Sequence, residues 1–306
     1  MKNILVLGGC GFIGSFLVKR LQEEHNVLVY DRCEPVYEFK GKSIIGNFAE
    51  EQNFYEILVE NQVDLVFHLI STALPTDSTH AIEQEILTNV IPSVRLFEAM
   101  VKANVKRLIF SSSGGTVYGE SFGQPHKVTD RTAPICSYGI QKNSIENYIA
   151  LYNRYYGMEF IVARISNPYG VWTQQNRMQG IIPIFIRKLL DDEPITVFGD
   201  TKRDYIFIDD VIEAFVCMIE YCGMERVFNV GTGVATSISE IIGIIETEIG
   251  KKFSQIEYKD IRKCDVKENV LDASKSKEKL KWSIKNGIEK GVIEVIEKIK
   301  KNEREE

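Results

Sequence analysis

The feature that most constrains this fold is a cluster of glycines between an apolar run and a helix-like segment. The stretch MKNILVLGGCGFIGSFL carries glycines at positions 8, 11 and 14, directly after an apolar run at 3–7. Residues 12–24 then repeat apolar side chains at helical spacing. Glycine inside a helix or strand costs roughly 0.5–1 kcal/mol relative to alanine, so its repeated use requires a reason. Either the chain makes a tight turn here, or a ligand must contact its backbone closely.

Composition excludes several classes of protein. The chain has 306 residues, which is enough for one large α/β domain or two smaller ones, and a net charge of −6 disfavours nucleic acid as a partner. No apolar run has the length of a membrane span, and no signal-peptide pattern follows Met1, so we expect a cytoplasmic protein without a membrane partner. The six cysteines form no CxxC pair, which predicts reduced thiols and no metal site.

Apolar runs alternate with helical segments along the first half of the chain. Strand-like runs lie at 26–31, 63–69, 106–113 and 159–165, and helical spacing is found at 86–101 and 138–156. This alternation predicts an α/β fold with a parallel sheet covered by helices on both faces. After residue 167, Pro and Gly residues separate shorter elements, among them a strand at 228–233 and a helix from near Ser237. We find no long linker, so the second half is expected to interleave with the first.

In this strand–loop–helix setting, the glycines indicate a dinucleotide site. Gly8 permits the tight turn, Gly11 lets backbone N–H groups approach a pyrophosphate, and Gly14 lets the helix pack closely on the strand. The helix N-terminus adds partial positive charge. The second strand ends at Asp31, whose carboxylate can accept ribose hydroxyls and repel a 2′-phosphate, which favours NAD over NADP. Arg32 can instead contact a 2′-phosphate, so NADP stays an alternative.

A second motif, Tyr138-Gly-Ile-Gln-Lys142, suggests proton transfer. Tyrosine and lysine four residues apart lie on one face of a helix, where the ammonium favours the phenolate and lowers the pKa of the phenol. Such a tyrosine can exchange a proton with a sugar hydroxyl or ketone while a hydride moves. An isolated Tyr-x-x-x-Lys is typical of a surface helix, but here it follows a dinucleotide loop and three serines at a strand end.

These motifs together resemble the extended short-chain dehydrogenase/reductases, specifically the NAD-dependent nucleotide-sugar epimerases and dehydratases that are UDP-glucose 4-epimerase-like. The resemblance covers nearly the whole chain and is carried by GGCGFIG (8–14), Asp31, GNF (46–48), HLIS (68–71), Asn89, SSSGGTVYG (111–119), SYGIQK (137–142), ARISNPYG (163–170), FGDTKRDYIFIDDV (198–211), FNVGTG (228–233) and VLDASKSKEKLKW (270–282). It implies a Rossmann-type doubly wound parallel sheet with a smaller C-terminal α/β substrate-binding domain. Residues 1–166 would form the NAD-binding domain, with 204–235 packing back onto it, and 167–306 would mainly bind the nucleotide sugar.

The resemblance also implies which residues bind NAD. They are Gly8, Gly11, Phe12, Ile13, Gly14, Asp31, Arg32, Asn47, Phe48, Leu69, Ile70, Ser71, Asn89, Tyr138, Lys142 and Ser166. Asn47, where the family usually has Asp, and Phe48 would lie beside the adenine. Lys142 would bind the nicotinamide ribose and tune Tyr138.

Catalytic and substrate residues follow from the same resemblance. Ser113, Tyr138 and Lys142 would be catalytic, with Tyr138 as the acid and base. The stretch SSSGGTVYG is one residue longer than the commonest pattern, so Ser112 and Thr116 stay alternatives for the catalytic hydroxyl. The substrate would contact Ser113, Tyr138, Asn167, Arg203, Arg262 and Asp265. Arginine suits the diphosphate because its planar fork grips phosphate oxygens in two places.

The residues before Val117 select among the reactions of the family. Related dehydratases carry an Asp-Glu pair or a Glu there, whereas this chain has Gly114, Gly115 and Thr116, which favours C4 epimerisation through a transient 4-keto sugar. Asn269 stands where a bulky aromatic restricts related enzymes against N-acetyl groups. UDP-glucose/UDP-galactose is therefore the first expected pair, and UDP-GlcNAc/UDP-GalNAc is the second.

Two other functions stay open at this point. A 4-keto nucleotide-sugar reductase would use the same Tyr–Lys pair with NAD(P)H and release its cofactor in each turnover. A non-catalytic dinucleotide-sensing regulator is disfavoured, because such proteins commonly lose the tyrosine or the lysine. The resemblance further implies a homodimer in which helices at about 89–103 and 138–156 pair into a four-helix bundle.

Overall fold

The computed structural model describes residues 1–72, 81–121, 123–172 and 180–305. Its strands are β1 (Asn3–Leu7), β2 (Asn26–Asp31), β3 (Lys42–Ile45), β4 (Leu65–His68), β5 (Arg107–Ser113), β6 (Glu159–Ile165), β7 (Asn167–Tyr169), β8 (Ile195–Phe198), β9 (Lys202–Arg203), β10 (Tyr205–Phe207), β11 (Val227–Val230), β12 (Thr236–Ser237), β13 (Ile256–Lys259) and β14 (Glu268–Asn269). Its helices are α1 (Phe12–Leu21), α2 (Phe54–Glu60), α3 (Ile82–Glu85), α4 (Ile91–Lys102), α5 (Gly114–Val117), α6 (Ser137–Tyr156), α7 (Ile181–Leu190), α8 (Ile208–Glu220), α9 (Ile238–Ile249), α10 (Ser274–Leu280) and α11 (Ile288–Glu305), with a π-helical segment (Ile86–Val90) before α4.

Seven strands form one sheet in the order β11-β6-β5-β4-β1-β2-β3. Every neighbouring pair in it is parallel. Helices cover both faces, so the central strands are buried on both sides and consist of continuous apolar runs. The predicted Rossmann-type α/β fold is confirmed.

The second half of the chain returns to this sheet. Strand β11 pairs with β6, and α8 packs against α1. Three smaller sheets, β10-β7, β12-β9-β14 and β13-β8, lie outside the main one. The division at residue 166 into two functional domains stays a prediction.

Two elements differ from the sequence prediction: the start of one helix, and a strand that was not predicted. The helix predicted at 86–101 begins as a π-helical segment and becomes α4 at Ile91. Pro92 lies in the first turn of α4 and has no N–H to donate into the preceding turn, which fits a change of hydrogen-bond register just before it. Strand β3 was not predicted, because it is a sheet edge with half-exposed or exposed residues and lacks an apolar run.

None of the helices in the described ranges is long and apolar enough to cross a membrane.

Candidate active site

The glycine loop is closed tightly against α1. Gly8 has φ +88°, in the left-handed region that favours glycine. A Cβ on Gly14 would lie 2.0 Å from the carbonyl oxygen of Gly8, so a larger residue there would separate the helix from the loop. The N–H of Gly11 donates to the same carbonyl at 3.1 Å. The N-terminus of α1 is therefore held against the end of β1, which fits a bound pyrophosphate.

The carboxylate of Asp31 is oriented by backbone donors. Its Oδ2 accepts the N–H of Cys10 at 2.8 Å, and its Oδ1 accepts the N–H of Arg32 at 2.7 Å. Both bonds hold the carboxylate beside the glycine loop, at the carboxyl end of β2. The half-buried Asp31 keeps lone pairs for ribose hydroxyls, whereas Arg32 is exposed. This arrangement fits NAD.

Phe12, Phe48 and Asn47 are also predicted to bind NAD, and they differ in whether their side chains are buried or exposed. The side chains of Phe12 and Phe48 are buried in the core, Phe12 against Phe16 and Phe48 against Phe54, so only their backbone is available to a ligand. Asn47 is exposed, and its Oδ1 accepts the N–H of Ala49.

The segment after β4 lies against the glycine loop. Ile70 Cγ1 would be 3.1 Å from a Cβ on Gly8, and Leu69 and Ser71 flank it in the chain. Asn89 holds Thr72, the residue after Ser71, because Asn89 Oδ1 accepts the N–H of Thr72 at 2.8 Å. The hydroxyl of Ser166 is buried with no hydrogen-bond partner among the described residues. A buried hydroxyl of this kind is available to a bound ligand.

Helix α6 and the end of β5 bring the predicted catalytic groups together. The hydroxyl of Ser113 hydrogen-bonds to the phenol of Tyr138. Burial raises the pKa of Tyr138 to about 12, and the bond from Ser113 acts in the opposite direction. Lys142 is buried, with its Nζ 5.7 Å from the centroid of the Tyr138 ring and 2.8 Å from the carbonyl oxygen of Ser111. The sequence-based prediction that Lys142 lowers the pKa of this phenol is wrong, because burial outweighs the lowering effects. The phenol is protonated at neutral pH, with a hydroxyl and an ammonium beside it.

The two alternative hydroxyls have other surroundings. Ser112 donates to the carboxylate of Glu146. The hydroxyl of Thr116 is buried without a partner in the part of the chain that the structure describes, and its backbone lies against Gly139. Ser113 is thus the hydroxyl for which a bond to the Tyr138 phenol is found.

A buried polar network behind the catalytic groups was not predicted. Glu146 accepts three hydrogen bonds from Arg164, the shortest at 2.6 Å, and both side chains are 8% exposed. Arg164 also donates to the Tyr118 hydroxyl at 2.8 Å, and that hydroxyl donates to Asn229 Oδ1 at 2.7 Å. Ser112, Arg164 and Asn229 lie in one row across β5, β6 and β11. The available signals were an arginine inside the apolar run EFIVARI and a glutamate one turn after Lys142.

The residues predicted to contact the sugar begin next to Ser113. A Cβ on Gly115 would lie 3.7 Å from Asn167 Nδ2 and 3.9 Å from Ser113 Oγ, so the glycine leaves space between those two polar groups. Asn167 belongs to β7, which pairs with β10, and β10 begins two residues after Arg203. Asn269 is fully buried, and its Nδ2 donates to the carbonyl oxygen of Gly114 at 3.2 Å.

Of the residues predicted to contact the diphosphate, Arg203 and Asp265 lie beside each other, whereas Arg262 contacts Phe198. Arg203 Nη2 lies 3.9 Å from Asp265 Oδ1, and burial lowers the pKa of Arg203. The guanidinium of Arg262 stacks on Phe198, with its Cζ 4.0 Å from the ring centroid. Stacking holds the guanidinium plane and leaves its edge N–H groups available to phosphate oxygens.

Lys142 makes the stability of the fold depend on pH. Burial lowers the pKa of Lys142 from 10.5 to about 8. Between these pH values the unfolded chain holds a proton that the folded chain lacks, so the destabilising effect of Lys142 is complete below about pH 8 and disappears as the pH rises toward 10.5. We expect Lys142→Met to raise the free energy of unfolding above that of wild type. This difference should be largest below about pH 8 and should shrink as the pH rises toward 10.5. Urea unfolding at several pH values measures this, and a constant difference would contradict it.

Comparison with known proteins identifies similar chains. The model of the family described as "NAD dependent epimerase/dehydratase family" matches residues 4–231. A dTDP-4-dehydro-6-deoxyglucose reductase from Escherichia coli is 32% identical, over 98% of both chains. A putative UDP-glucose 4-epimerase from Methanocaldococcus jannaschii is 33% identical, over 98% of this chain and 99% of the relative. The crystal structure of UDP-glucose 4-epimerase with UDP-glucose from Thermotoga maritima has a TM-score of 0.92 and 34% identity, over 98% and 99% of the two chains.

Proposed function

Because this chain belongs to the NAD dependent epimerase/dehydratase family, we propose that it is an NAD-dependent 4-epimerase of a nucleotide-diphosphate sugar. The observation that carries the proposal is the contact of Ser113 with Tyr138, one helical turn from Lys142. It lies at the carboxyl end of the parallel strands, where the glycine loop also lies. The segment 114–116 contains no acid for elimination, which supports epimerisation over dehydration.

NAD, when bound, supplies the hydride acceptor and donor for C4 of the sugar. The glycine loop and Asp31 would hold its adenosine diphosphate half, and Lys142 would hold its nicotinamide ribose. Ser166 would offer its buried hydroxyl. The remaining chemistry is proton transfer by residues of this chain.

Tyr138 is the proposed proton-exchange group. In its phenolate form, Tyr138 takes the proton of the C4 hydroxyl as the hydride leaves C4 and becomes a phenol, and it returns that proton when the hydride comes back to the other face. The Lys142 ammonium stabilises the transient phenolate, and Ser113 holds the sugar oxygen by a hydrogen bond. The pKa of Lys142 is lowered to about 8 by burial, so most of the lysine is charged at neutral pH.

The diphosphate would be held by arginine forks. Arg203 and Arg262 carry the positive charge, Asp265 orients Arg203 at 3.9 Å, and Phe198 supports Arg262 by stacking. Asn167 would reach the sugar or the adjoining phosphate from beside Ser113. A planar guanidinium distinguishes a diphosphate from a single negative charge, because it pairs with two oxygens at once.

The sugar specificity rests on a small buried residue. We propose UDP-glucose/UDP-galactose as the first pair and UDP-GlcNAc/UDP-GalNAc as the second. The support for the second pair is Asn269, whose amide is packed against Gly114 and carries no aromatic ring toward the sugar. Its Oδ1 is buried without a partner among the described residues.

One observation favours a second candidate. The reductase from Escherichia coli matches this chain end to end at 32% identity, which is close to the value for the archaeal epimerase. A 4-keto nucleotide-sugar reductase would use the same Tyr138 and Lys142 for a single hydride and proton delivery. It consumes one reduced cofactor per turnover, whereas an epimerase recycles its own.

The deciding experiment is an assay of the purified protein without added cofactor. UDP-galactose and UDP-GalNAc are supplied separately, and the products are separated by chromatography. We expect UDP-glucose to form in the first reaction, and UDP-GlcNAc in the second if the pocket at Asn269 accepts the acetamido group. Conversion only when NAD(P)H and a 4-keto nucleotide sugar are added would establish the reductase instead.

The proposed assembly is a homodimer. Exposed apolar side chains lie along the π-helical segment, α4 and α6, and include Leu87, Ile91, Ile140, Leu151 and Tyr155, which are 39–71% exposed. Apolar surface of this extent on two adjacent helices supports a four-helix bundle formed by two copies. Light scattering should give twice the mass of one chain, and a single-chain mass would refute the bundle.

The proposed location is the cytoplasm. All six cysteines are free thiols in the structure. Free thiols are typical of proteins in a reducing compartment. Fractionation of cells that express the chain, followed by detection in the soluble fraction, tests this.

A further inference from the structure

Two thiols and a carboxylate meet beside the glycine loop. Cys10 follows β1, Asp31 ends β2, and Cys33 comes two residues later. Strands β1 and β2 pair in parallel, so the residues just past their carboxyl ends lie at one edge of the sheet. The Sγ of Cys10, a carboxylate oxygen of Asp31 and the Sγ of Cys33 all lie within 4.8 Å of one another. The sequence predicted no metal site, because the cysteines form no CxxC pair and the four histidines are scattered.

We propose that Cys10, Asp31 and Cys33 bind a soft divalent cation such as Zn²⁺ or Cd²⁺, and that the cation and the dinucleotide exclude each other. Thiolates bind Zn²⁺ at about 2.3 Å and carboxylates at about 2.0–2.2 Å, which places tetrahedral ligand atoms roughly 3.5–3.8 Å apart. The three ligand atoms lie within 4.8 Å of one another, so each pair needs to approach by at most about 1 Å to reach that spacing. On binding, each thiol gives its proton to the buffer as its sulfur bonds to the cation, so two protons leave per ion.

The surrounding contacts hold this triad in place. The N–H of Cys10 donates to Asp31 Oδ2 at 2.8 Å, and the Cys10 thiol donates to the carbonyl oxygen of Cys33 at 3.1 Å. Cys10 is buried, whereas Cys33 and Asp31 are half-buried, so the cation can enter from the solvent side of the loop. The fourth ligand position is then open to water.

The same carboxylate explains the mutual exclusion. Asp31 is the group that would accept the ribose hydroxyls of NAD. An oxygen bonded to a cation no longer accepts those hydroxyls with its full charge, and the ion occupies space beside the loop. The competition part of the proposal therefore rests on the proposed NAD site, whereas the binding part depends only on the three side chains.

Cadmium titration of the full-length protein, from which bound dinucleotide has first been removed, tests the binding. Cd²⁺ bonded to thiolate absorbs in the ultraviolet by charge transfer, and this readout needs no turnover. We expect saturation at one ion per chain and a loss of affinity of about tenfold or more in Cys33→Ser, since even supporting residues of metal sites contribute this much. The matched control is Cys222→Ser, which removes an exposed thiol elsewhere and should leave the titration unchanged.

Further outcomes decide the proposal. Adding NAD to the Cd²⁺-loaded protein should release the ion and abolish the band. Asp31→Asn, a second variant that keeps both thiols, should also weaken Cd²⁺ binding, and circular dichroism verifies that each variant is folded. An unchanged titration in Cys33→Ser, an equal loss in Cys222→Ser, or NAD bound together with Cd²⁺ would each overturn the proposal. The epimerase assay is separate, so its failure would leave the cadmium result standing.

Discussion

Tyr138→Phe should lower the epimerase turnover number by about 10²–10⁴-fold, the range that positioned proton transfer contributes to catalysis. Phenylalanine keeps the ring but removes the oxygen that hydrogen-bonds to Ser113. The proton of the C4 hydroxyl then has no acceptor on this side chain. Turnover is measured by chromatographic separation of the two UDP-sugars, and the bound dinucleotide is measured after the protein is denatured.

A matched control lies on the same helix. Tyr156 is 60% exposed at the end of α6, and Tyr156→Phe removes an equivalent hydroxyl without touching the site. Its turnover should equal that of wild type. If Tyr138→Phe kept turnover within threefold of wild type while folded and loaded with dinucleotide, Tyr138 would not be the proton-exchange group.

Glu146→Gln should lower the free energy of unfolding by about 3–5 kcal/mol, the cost of leaving one partner of a buried ion pair without the other. Glu146 accepts bonds from both Arg164 and Ser112, and the ion pair is only 8% exposed on either side. Glutamine keeps the shape but not the charge, so the buried guanidinium of Arg164 loses its counter-charge. Urea unfolding followed by circular dichroism measures the effect.

The control for this change is an ion pair on the surface. Glu24 accepts from Arg20 at 2.8 Å, and its side chain is 58% exposed. Glu24→Gln should leave stability nearly unchanged, because exposed pairs are screened by water. A Glu146→Gln protein that unfolds at the same urea concentration as wild type would show that the network does not hold β5, β6 and α6 together.

Local patterns were sufficient for the parts of the site that are close in sequence. The strand–glycine–helix unit at the N-terminus depends on residues that are close neighbours in the chain. Its strand bounds, Asn3–Leu7, and the start of α1 agree with the prediction. The Tyr138–Lys142 pair follows from the helical repeat alone. The Rossmann-type sheet follows from alternating apolar runs and helices, because parallel strands require crossover connections.

Contacts between distant segments could not be read in this way. The row formed by Ser112, Arg164 and Asn229 depends on strand order and register, and a register shift of one residue would turn each side chain to the other face. Which of Ser112, Ser113 and Thr116 hydrogen-bonds to Tyr138 likewise depends on the direction of each side chain. The sequence left this choice open, because its serine-rich stretch is one residue longer than the commonest pattern.

The sequence by itself therefore determined the sheet class, the glycine loop and the placement of Tyr138 and Lys142 on one helix, because each depends on short-range periodicity. Only the tertiary structure decided that Ser112 bonds to Glu146, that Glu146 is paired with Arg164, and that Cys10 lies beside Cys33. The physical reason is that these partners are joined by strand pairing and burial rather than by chain proximity. Their contacts form only when the sheet has assembled and water has left its faces.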